Sequence, residues 1–440
     1  MYTNKQIGAV SFPIFLGLLA QNVIGVTDTA FLGRVGEVEL GASAMGGLYY
    51  ICAFTIAFGF STGSQIVIAR RNGEGHYDRI GPVMIQGVSF LLLLAMALFG
   101  FSRLFVDDMM RVLISSDAIL KASVDFLNWR VFGFFFSFIT LMYRALFVGI
   151  TQTKVLTLNA VVMAVVNILL DYLLIFGHAG LPCMGLQGAA IASVIAEATS
   201  VFFFVIYTRM AVDRHKYALD RFHSFDFELL RRVFSISVFM MIQYFLSFVT
   251  WFVFFIVVER LGERPLAVAN IVRSIYGLML VPINALATTT NTFVSNSMGA
   301  GESAQVIPVM KRICKCSLGV MVVFSLFVGL NPEWILSIYT TDASLVEASV
   351  PSVYAICIAM LVGSVGSVVF NGVSGTGDTR AALLMEMAVL SLYALFVYVV
   401  GMCFRLPVGI CFFSELIYWG GLVLAGVLYF TKASWQDKRV

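Results

Sequence analysis

The stretch SFPIFLGLLAQNVIGVTDTAFLG, residues 11–33, decides the class of fold. It is apolar almost throughout, and a helix of about 20 such residues crosses the hydrocarbon core of a bilayer. Similar runs recur along the 440 residues, of which 60% are hydrophobic and 12% charged, with a mean hydropathy of +0.93. Soluble proteins carry about 25% charged residues. The composition excludes an ordinary soluble enzyme and a nucleic-acid binder, and it indicates an all-α membrane protein whose surroundings are the lipid bilayer.

Hydropathy predicts twelve transmembrane helices in two groups of six. Because the first stretch is longer than a signal-peptide core and lacks a small-residue cleavage site, we expect it to remain as the first span. We expect an N-terminal six-helix bundle at residues 1–208, a polar cytoplasmic linker at 209–229 and a C-terminal six-helix bundle at 230–440. The predicted spans lie near residues 7–33, 41–69, 81–105, 122–150, 155–177, 186–208, 230–258, 266–296, 309–330, 349–373, 380–402 and 406–431.

Basic residues concentrate in alternate connections. With the N-terminus inside, 19 Lys and Arg lie in cytoplasmic segments and eight lie in outer ones. Lys and Arg are enriched on the cytoplasmic side of membrane proteins. We therefore expect both termini in the cytoplasm of an integral plasma-membrane protein, with a bacterial inner membrane as the expected location.

The two halves of the sequence match each other at a constant offset of 226 residues. Six spans per half is an even number, so both halves enter the membrane in the same orientation. This predicts two pseudo-symmetric six-helix bundles around a central cavity, an architecture suited to alternating access and not to a channel. The matched glycines are Gly36 with Gly262, Gly73 with Gly299, Gly75 with Gly301, and Gly149 with Gly375.

Four polar side chains in three spans of the first half share one predicted depth, in the outer third of the membrane. These are Asp28 in span one, Asn167 and Asp171 one turn apart in span five, and Ser193 in span six. A charged side chain within the bilayer costs roughly 2.5–3.5 kcal/mol on insertion scales. The presence of these side chains within the bilayer therefore calls for an explanation. We favour a shared ion or substrate site.

The chemistry of this group leaves two alternatives open. Carboxylate, amide and hydroxyl oxygens of Asp28, Asn167, Asp171 and Ser193 could bind Na⁺. Alternatively, the two acids could share a proton, because burial and a neighbouring like charge both disfavour the ionised form. Gln21 falls on the same helical face as Asp28 and joins the candidate site.

Other residues carry weaker signals. Glu197, one turn inward of Ser193, could line the same cavity, whereas Glu386 and Glu415 have no nameable partner, so packing or hydrogen bonding is favoured for them. The seven Cys and four His show no metal-site spacing, and no cofactor is expected apart from a coupling H⁺ or Na⁺. Pro13 removes one backbone donor, so span one is expected to kink or flex there.

These residues resemble those of the multidrug and toxic compound extrusion (MATE) family. The likeness rests on a Pro in span one followed by Asp in TDTAFLGRVG, on NILLD at residues 167–171, on GAAIAS at 188–193 and on GTGDTR at 375–380. Other branches of the family carry acids in spans seven and ten as well. Neither span has one here, which resembles the DinF-like branch. The family's functional positions map onto Pro13, Asp28, Asn167 and Asp171, with Ser193 where the family often has Thr.

The resemblance implies an efflux antiporter for amphipathic, often cationic compounds, driven by inward H⁺ or Na⁺, with bending at Pro13 linked to protonation. A lipid-linked precursor flippase of related two-bundle layout is the alternative. Its cavity would be expected to carry several cationic side chains for a diphosphate, whereas these spans supply acids. A membrane enzyme would need a nucleophile or metal cluster, which the loops lack. Nothing in the sequence demands more than a monomer.

Overall fold

In the computed structural model, residues 2–221 and 224–438 are described, and most of them are helical. Among the described residues, the first half of the chain forms seven helices because its apolar runs are continuous and are interrupted only at short turns. A single 3₁₀ turn, Tyr77–Arg79, precedes α3. The helices are α1 Asn4–Val35, α2 Glu37–Glu74, α3 Ile80–Leu113, α4 Asp117–Arg130, α5 Gly133–Gly149, α6 Lys154–Phe176 and α7 Gly185–Ala211.

The second half repeats this pattern with additional short elements. A 3₁₀ turn, Ser303–Gln305, precedes α10, and a π-helical turn, Val399–Cys403, extends α13. The helices are α8 Phe227–Glu259, α9 Glu263–Gly299, α10 Val306–Leu330, α11 Pro332–Ser337, α12 Ala343–Gly375, α13 Thr379–Tyr398, α14 Val408–Cys411 and α15 Ser414–Lys432.

The count of membrane spans agrees with the sequence. Among the described residues, eleven helices are long and apolar enough to cross a bilayer. The pair α4 and α5 makes twelve when it is taken as one span, bent by 53°. The predicted fourth span, 122–150, is therefore a broken helix. The break lies next to Gly133, where an added Cβ would collide with the side chains of Arg130 and Glu197.

Element boundaries recur at the offset of 226 found in the sequence. Gly75, which follows α2, has φ of 76°, and Gly301, which follows α9, has φ of 74°. Side chains other than that of glycine rarely adopt this left-handed conformation. Each of these glycines is followed by the 3₁₀ turn, so the corner between the second and third helices has the same construction in both halves. The starts of α2 and α9, the starts of α3 and α10, and the ends of α5 and α12 are likewise 226 residues apart.

The chain divides into two compact units, residues 12–241 and residues 2–11 with 242–438, called here the first and the second unit. Helices α1 and α8 each contribute to both. The predicted linker, 209–229, contains the non-helical residues 212–221 and 224–226, whereas the units divide later, after Met241.

Within the first unit, the beginning of α8 packs closely on α2. Cβ atoms placed on Gly59 and Gly63 would lie 2.5 Å from the Cα atoms of Met241 and Ser237. Two glycines four residues apart allow helix backbones to approach each other in membranes. This contact explains why the first turns of α8 belong to the first unit.

Within the second unit, the first residues of the chain pack beside α9 and α10. The Tyr2 ring stacks on Phe293 with centroids 3.9 Å apart, and Arg312 donates to the Tyr2 carbonyl oxygen at 2.6 Å. The change of unit occurs inside α1, between Ser11 and Phe12. Pro13 therefore lies two residues beyond the point where α1 leaves the second unit.

Candidate functional site

Three of the predicted site residues meet in the first unit. Asp28 comes from α1, and Asn167 and Asp171 lie one turn apart on α6. Asn167 is 1% exposed and Asp171 is fully buried. With its amide nitrogen facing the acids, Asn167 donates to Asp28 Oδ1 at 3.0 Å and to Asp171 Oδ2 at 3.3 Å. The opposite orientation would set the amide oxygen against two carboxylates, so the hydrogen-bond network assigns the nitrogen to this side.

The Asn167 amide nitrogen lies within 3.3 Å of both acids, so their carboxylates are close neighbours. Two ionised carboxylates at that separation repel, and burial strengthens the repulsion. The arrangement is stable when a proton or another small cation offsets one of the charges. The site can therefore hold an exchangeable cation between α1 and α6.

Another acid of the first unit, Glu197, is paired with a cation, Arg130. Its guanidinium makes two hydrogen bonds to Glu197 on α7, of 2.7 and 3.0 Å. Tyr50 on α2 donates to the same carboxylate at 3.0 Å, and its ring centroid lies 3.5 Å from the Arg130 Cζ. Arg130 stands inside the predicted span 122–150, where a charged side chain is costly. That position was the signal that could have identified it.

Among the described residues, no hydrogen bond joins the remaining predicted site residues to the two acids. Glu197 belongs to the cluster with Arg130 and Tyr50. Ser193 makes no hydrogen bond to Asp28, Asn167 or Asp171 within the part of the chain that the structure describes. The three-residue cluster of Asp28, Asn167 and Asp171 is therefore the candidate cation site.

Gln21 lies beside a cavity of about 60 Å³ within the first unit. Arg144 and Asn159 also line this cavity, and Asn159 donates to the Ser200 hydroxyl at 2.9 Å. Gln21 and Asn159 precede Asp28 and Asn167 by seven and eight residues on α1 and α6, about two helical turns. The cavity is thus polar and adjoins the same pair of helices as the acids.

Pro13 is buried on α1, which continues through it as a helix from Asn4 to Val35. The Thr157 hydroxyl on α6 donates to the Pro13 carbonyl oxygen at 2.9 Å. The same two helices that carry the acids are therefore also joined at the proline. The described residues include no group of three or more His, Cys, Asp or Glu that could hold a metal ion.

Two curated relatives are similar over most of the chain. A probable multidrug resistance protein NorM from Agrobacterium fabrum is 26% identical over 385 residues, covering 85% of this chain and 79% of the relative. A probable multidrug resistance protein NorM from Thermotoga maritima is 22% identical, covering 87% of this chain and 82% of the relative.

Solved structures share the fold. A MOP superfamily transporter from Pyrococcus furiosus superposes with a TM-score of 0.88 at 17% identity, covering 99% of this chain and 97% of that one. An outward-facing multidrug resistance MATE family transporter gives a TM-score of 0.88 at 18% identity, covering 97% and 94%.

A model of the MatE family matches two stretches, residues 13–173 and 237–400. The first contains Pro13, Asp28, Asn167 and Asp171, and the second begins in α8 and ends in the π-helical turn after α13. Because these two stretches cover well over half of the chain, in both of its halves, the chain belongs to the MatE family.

Proposed function

We propose that this protein is a secondary active efflux transporter of the DinF-like branch, which exports amphipathic, often cationic compounds in exchange for H⁺ or Na⁺. The observation that carries the proposal is the cluster of Asp28, Asn167 and Asp171, in which an amide bridges two acids on α1 and α6, Asp171 fully buried and Asp28 partly buried. A buried acid pair of this kind binds and releases a cation with little rearrangement. The names of the relatives as multidrug resistance proteins support the export of toxic compounds.

Cation binding would act through the Asn167 amide. In the present arrangement the amide nitrogen donates to both acids. Rotation about the terminal torsion would present the amide oxygen instead, completing a set of oxygen ligands of the kind that hard cations take. A proton shared between the acids would leave the nitrogen where it is. The amide orientation would thus differ between Na⁺ and H⁺ coupling.

Helix α1 would transmit the change. It carries Asp28 near one end and Pro13 near the other, and proline allows a helix to bend where its hydrogen-bond ladder is interrupted. Neutralising the acids would alter the hydrogen bonds between Asp28 on α1 and the residues of α6. Helix α1 would then shift at Pro13. Coupling then requires that drug and cation disfavour each other's binding.

The topology of the charges supports an orientation with both termini in the cytoplasm of a bacterial inner membrane. The transported compounds would be recognised by adaptable packing, so the proposal names a class and no single substrate. A monomer suffices for this mechanism.

The test is transport of a fluorescent lipophilic cation in the efflux direction, by purified protein in liposomes. Wild type and Asp28→Asn are compared under an imposed pH gradient and, separately, under a Na⁺ gradient. We expect flux with one of the gradients and its loss in the variant. Gradient-driven flux that survives in well-folded Asp28→Asn would overturn the assignment of Asp28. Binding of lipid diphosphates without transport of cations would favour a flippase.

A further inference from the structure

The second unit contains a buried acid that the proposed cation site does not use. Glu386 on α13 is 1% exposed. Its Oε1 accepts hydrogen bonds from the Ser247 hydroxyl on α8 at 2.6 Å and from the Tyr418 hydroxyl on α15 at 2.8 Å. Its Oε2 is buried and has no hydrogen-bond partner among the described residues.

A second acid lies on the neighbouring helix. Glu415 on α15 accepts from the Tyr276 hydroxyl on α9 at 2.7 Å and from the Tyr393 hydroxyl on α13 at 3.3 Å. The rings of Tyr393 and Tyr418 meet edge to face with centroids 6.2 Å apart. Tyr393, which donates to Glu415, thus contacts Tyr418, which donates to Glu386. The surroundings of the two acids are therefore contiguous.

Neither acid has a cationic partner. No Lys, Arg or His nitrogen of the described residues comes within 4.0 Å of Glu386 or Glu415 in an ion pair. Arg273 on α9 lines a small cavity together with Glu415, but its guanidinium lies 5.5 Å from the ring centroids of Trp251 and Phe255. The other titratable groups facing the pair are Tyr276, Tyr393, Tyr418 and Cys411.

Glu386 is satisfied in neither of its protonation states. When ionised, it is a buried charge that two hydroxyl groups stabilise at one oxygen only. When protonated on Oε2, it is a buried donor without an acceptor. A carboxyl group kept for structure alone is normally hydrogen-bonded on both oxygens. Because neither protonation state is fully hydrogen-bonded, Glu386 can gain or lose a proton without losing a complete hydrogen-bond network.

The cavity beside Glu415 gives a route for exchange. Its lining includes Arg273, whose side chain belongs to an exposed residue, and it is bordered by aromatic rings that leave room for about one water molecule. A proton arriving there would reach Glu415 first. Glu386 lies beyond the neighbouring rings of Tyr393 and Tyr418, whose hydroxyl groups donate to Glu415 and Glu386 respectively.

We propose that Glu386 and Glu415 form a second proton-binding site, in the second unit, at which each carboxylate takes up one proton from water and releases it again. This site adds to the proposed function and does not depend on it. The first unit would bind a cation through two acids bridged by an amide. The second unit would bind protons through two acids held by tyrosines.

The test is infrared difference spectroscopy of the purified full-length protein during a pH titration, which reports the C=O stretch of protonated carboxyl groups directly. The background variant Asp28→Asn/Asp171→Asn removes the acids of the first site. We expect a carboxyl band that appears as the pH falls to remain in this background. The remaining carboxyl groups contribute equally in every variant, so the part of the band that belongs to the second site should weaken in Glu386→Gln and in Glu415→Gln, and be absent when both substitutions are combined.

A second measurement covers the case in which a Gln variant does not fold. Tyr418→Phe removes one donor to Glu386 Oε1 while keeping the ring. We expect part of the band to move to higher frequency, because a lost hydrogen bond strengthens the C=O bond. A matched control is Tyr354→Phe on α12, an exposed tyrosine, which should leave the band unchanged.

Three results would overturn the proposal: a carboxyl band that ignores both Gln substitutions, a band of constant intensity across the titration, or no shift in Tyr418→Phe. The outcome is independent of transport. If Asp28→Asn loses flux and no carboxyl band depends on Glu386 or Glu415, the proposed function is retained and the second site is rejected. If such a band titrates but the wild type shows no flux, the second site is retained and the proposed function is rejected.

Discussion

Arg130 and Glu197 join the end of α4 to α7 through two hydrogen bonds of 2.7 and 3.0 Å, with both side chains 14% exposed. The Tyr50 hydroxyl donates to the same carboxylate, and its ring lies against the guanidinium. The charge of Arg130 is therefore offset by Glu197. An exchangeable ion is left to balance the charge of Asp28 and Asp171.

Breaking the Arg130–Glu197 pair should destabilise the first unit. Removing one partner of a buried ion pair costs about 3–5 kcal/mol, because the other charge is left uncompensated. We expect Glu197→Gln and Arg130→Gln each to lower the midpoint of thermal unfolding. The double variant should recover part of the loss, since neither charge remains. A double-mutant cycle measures the coupling, and strictly additive single effects would contradict the interaction.

The Asn167 bridge should be required for coupling. Asn167→Leu keeps a similar side-chain volume but removes the donor shared by both acids. A hydrogen bond to a charged group contributes about 1.5–3 kcal/mol, so gradient-driven flux should fall by about tenfold or more. Asn22→Leu on α1 is the matched control, because the Asn22 amide is exposed and donates to the Leu18 carbonyl oxygen of its own helix. Equal flux in the two variants would count against the bridge.

Pro13 should set the rate of the cycle and not the affinity for the compound. Pro13→Ala restores a backbone donor within α1, and proline is about 3 kcal/mol less favourable than alanine in a helix interior. We expect a higher unfolding midpoint and turnover several-fold lower, with compound binding within a factor of two. Thr157→Val, which removes the hydroxyl bonded to the Pro13 carbonyl, tests the contact without changing the helix. Unchanged turnover in Pro13→Ala would exclude the hinge.

Close packing at Gly63 should be essential for the first unit. Gly63→Leu places a side chain where the backbone of α8 already lies at Ser237. Overpacking costs about 1–3 kcal/mol when neighbours can move, and more is expected against backbone. The yield of monodisperse protein should fall sharply. Gly47→Leu, on the same helix, is the control, since no atom lies within 4 Å of a Cβ there. Equal yields of the two variants would show that close packing of α2 against α8 at Gly63 is not essential.

Asp342 should make part of the stability depend on pH. It caps α12, accepting from the Ser344 and Leu345 backbone amides at 2.9 and 3.4 Å. Hydrogen bonding by the Ser344 side chain, and then by its amide, holds the pKa of Asp342 below its ordinary value of 3.8. The contribution of a group with a lowered pKa is fully present above the ordinary value and is lost as the pH falls through the lowered one.

The corresponding measurement is the unfolding midpoint of Asp342→Ala relative to wild type, as the pH is lowered from neutral to below the ordinary pKa of 3.8. The difference should be largest near neutral pH and should shrink on acidification. Asp342→Asn keeps a capping side chain without the charge. Its difference from wild type should also vary with pH, whereas its difference from Asp342→Ala should not. A gap between wild type and Asp342→Ala that stays constant would contradict the lowered pKa.

Much of the fold was predictable because each span is a long apolar run and the duplicated turns carry glycine. The number of spans and the offset of 226 reappear in the helix boundaries. The break between α4 and α5 was not predicted. Arg130, at the end of α4 beside the break, contacts Glu197, which lies 67 residues away, and hydropathy does not detect such pairing.

The candidate site was predicted only in part, because spacing along a helix is visible in the sequence and contacts between helices are not. Asn167 and Asp171 share a helix face by their spacing alone, and Asp28 was added by its depth. Depth also selected Ser193 and Glu197, but Glu197 is paired with Arg130, and among the described residues Ser193 makes no hydrogen bond to the two acids. Tyrosine partners of Glu386 and Glu415 were hidden, because an aromatic residue in a membrane span is more often packing than a hydrogen-bond donor.

The pairing of Arg130 with Glu197 also has a consequence for how the protein is made. The guanidinium emerges from the ribosome well before its carboxylate, since 66 residues separate the two. An unpaired arginine within the membrane costs roughly 2.5–3.5 kcal/mol on insertion scales. During synthesis the bent α4–α5 segment would therefore wait at the translocon or near the interface until α7 arrives. The order of membrane insertion would follow the ion pair, not the order of the helices along the chain.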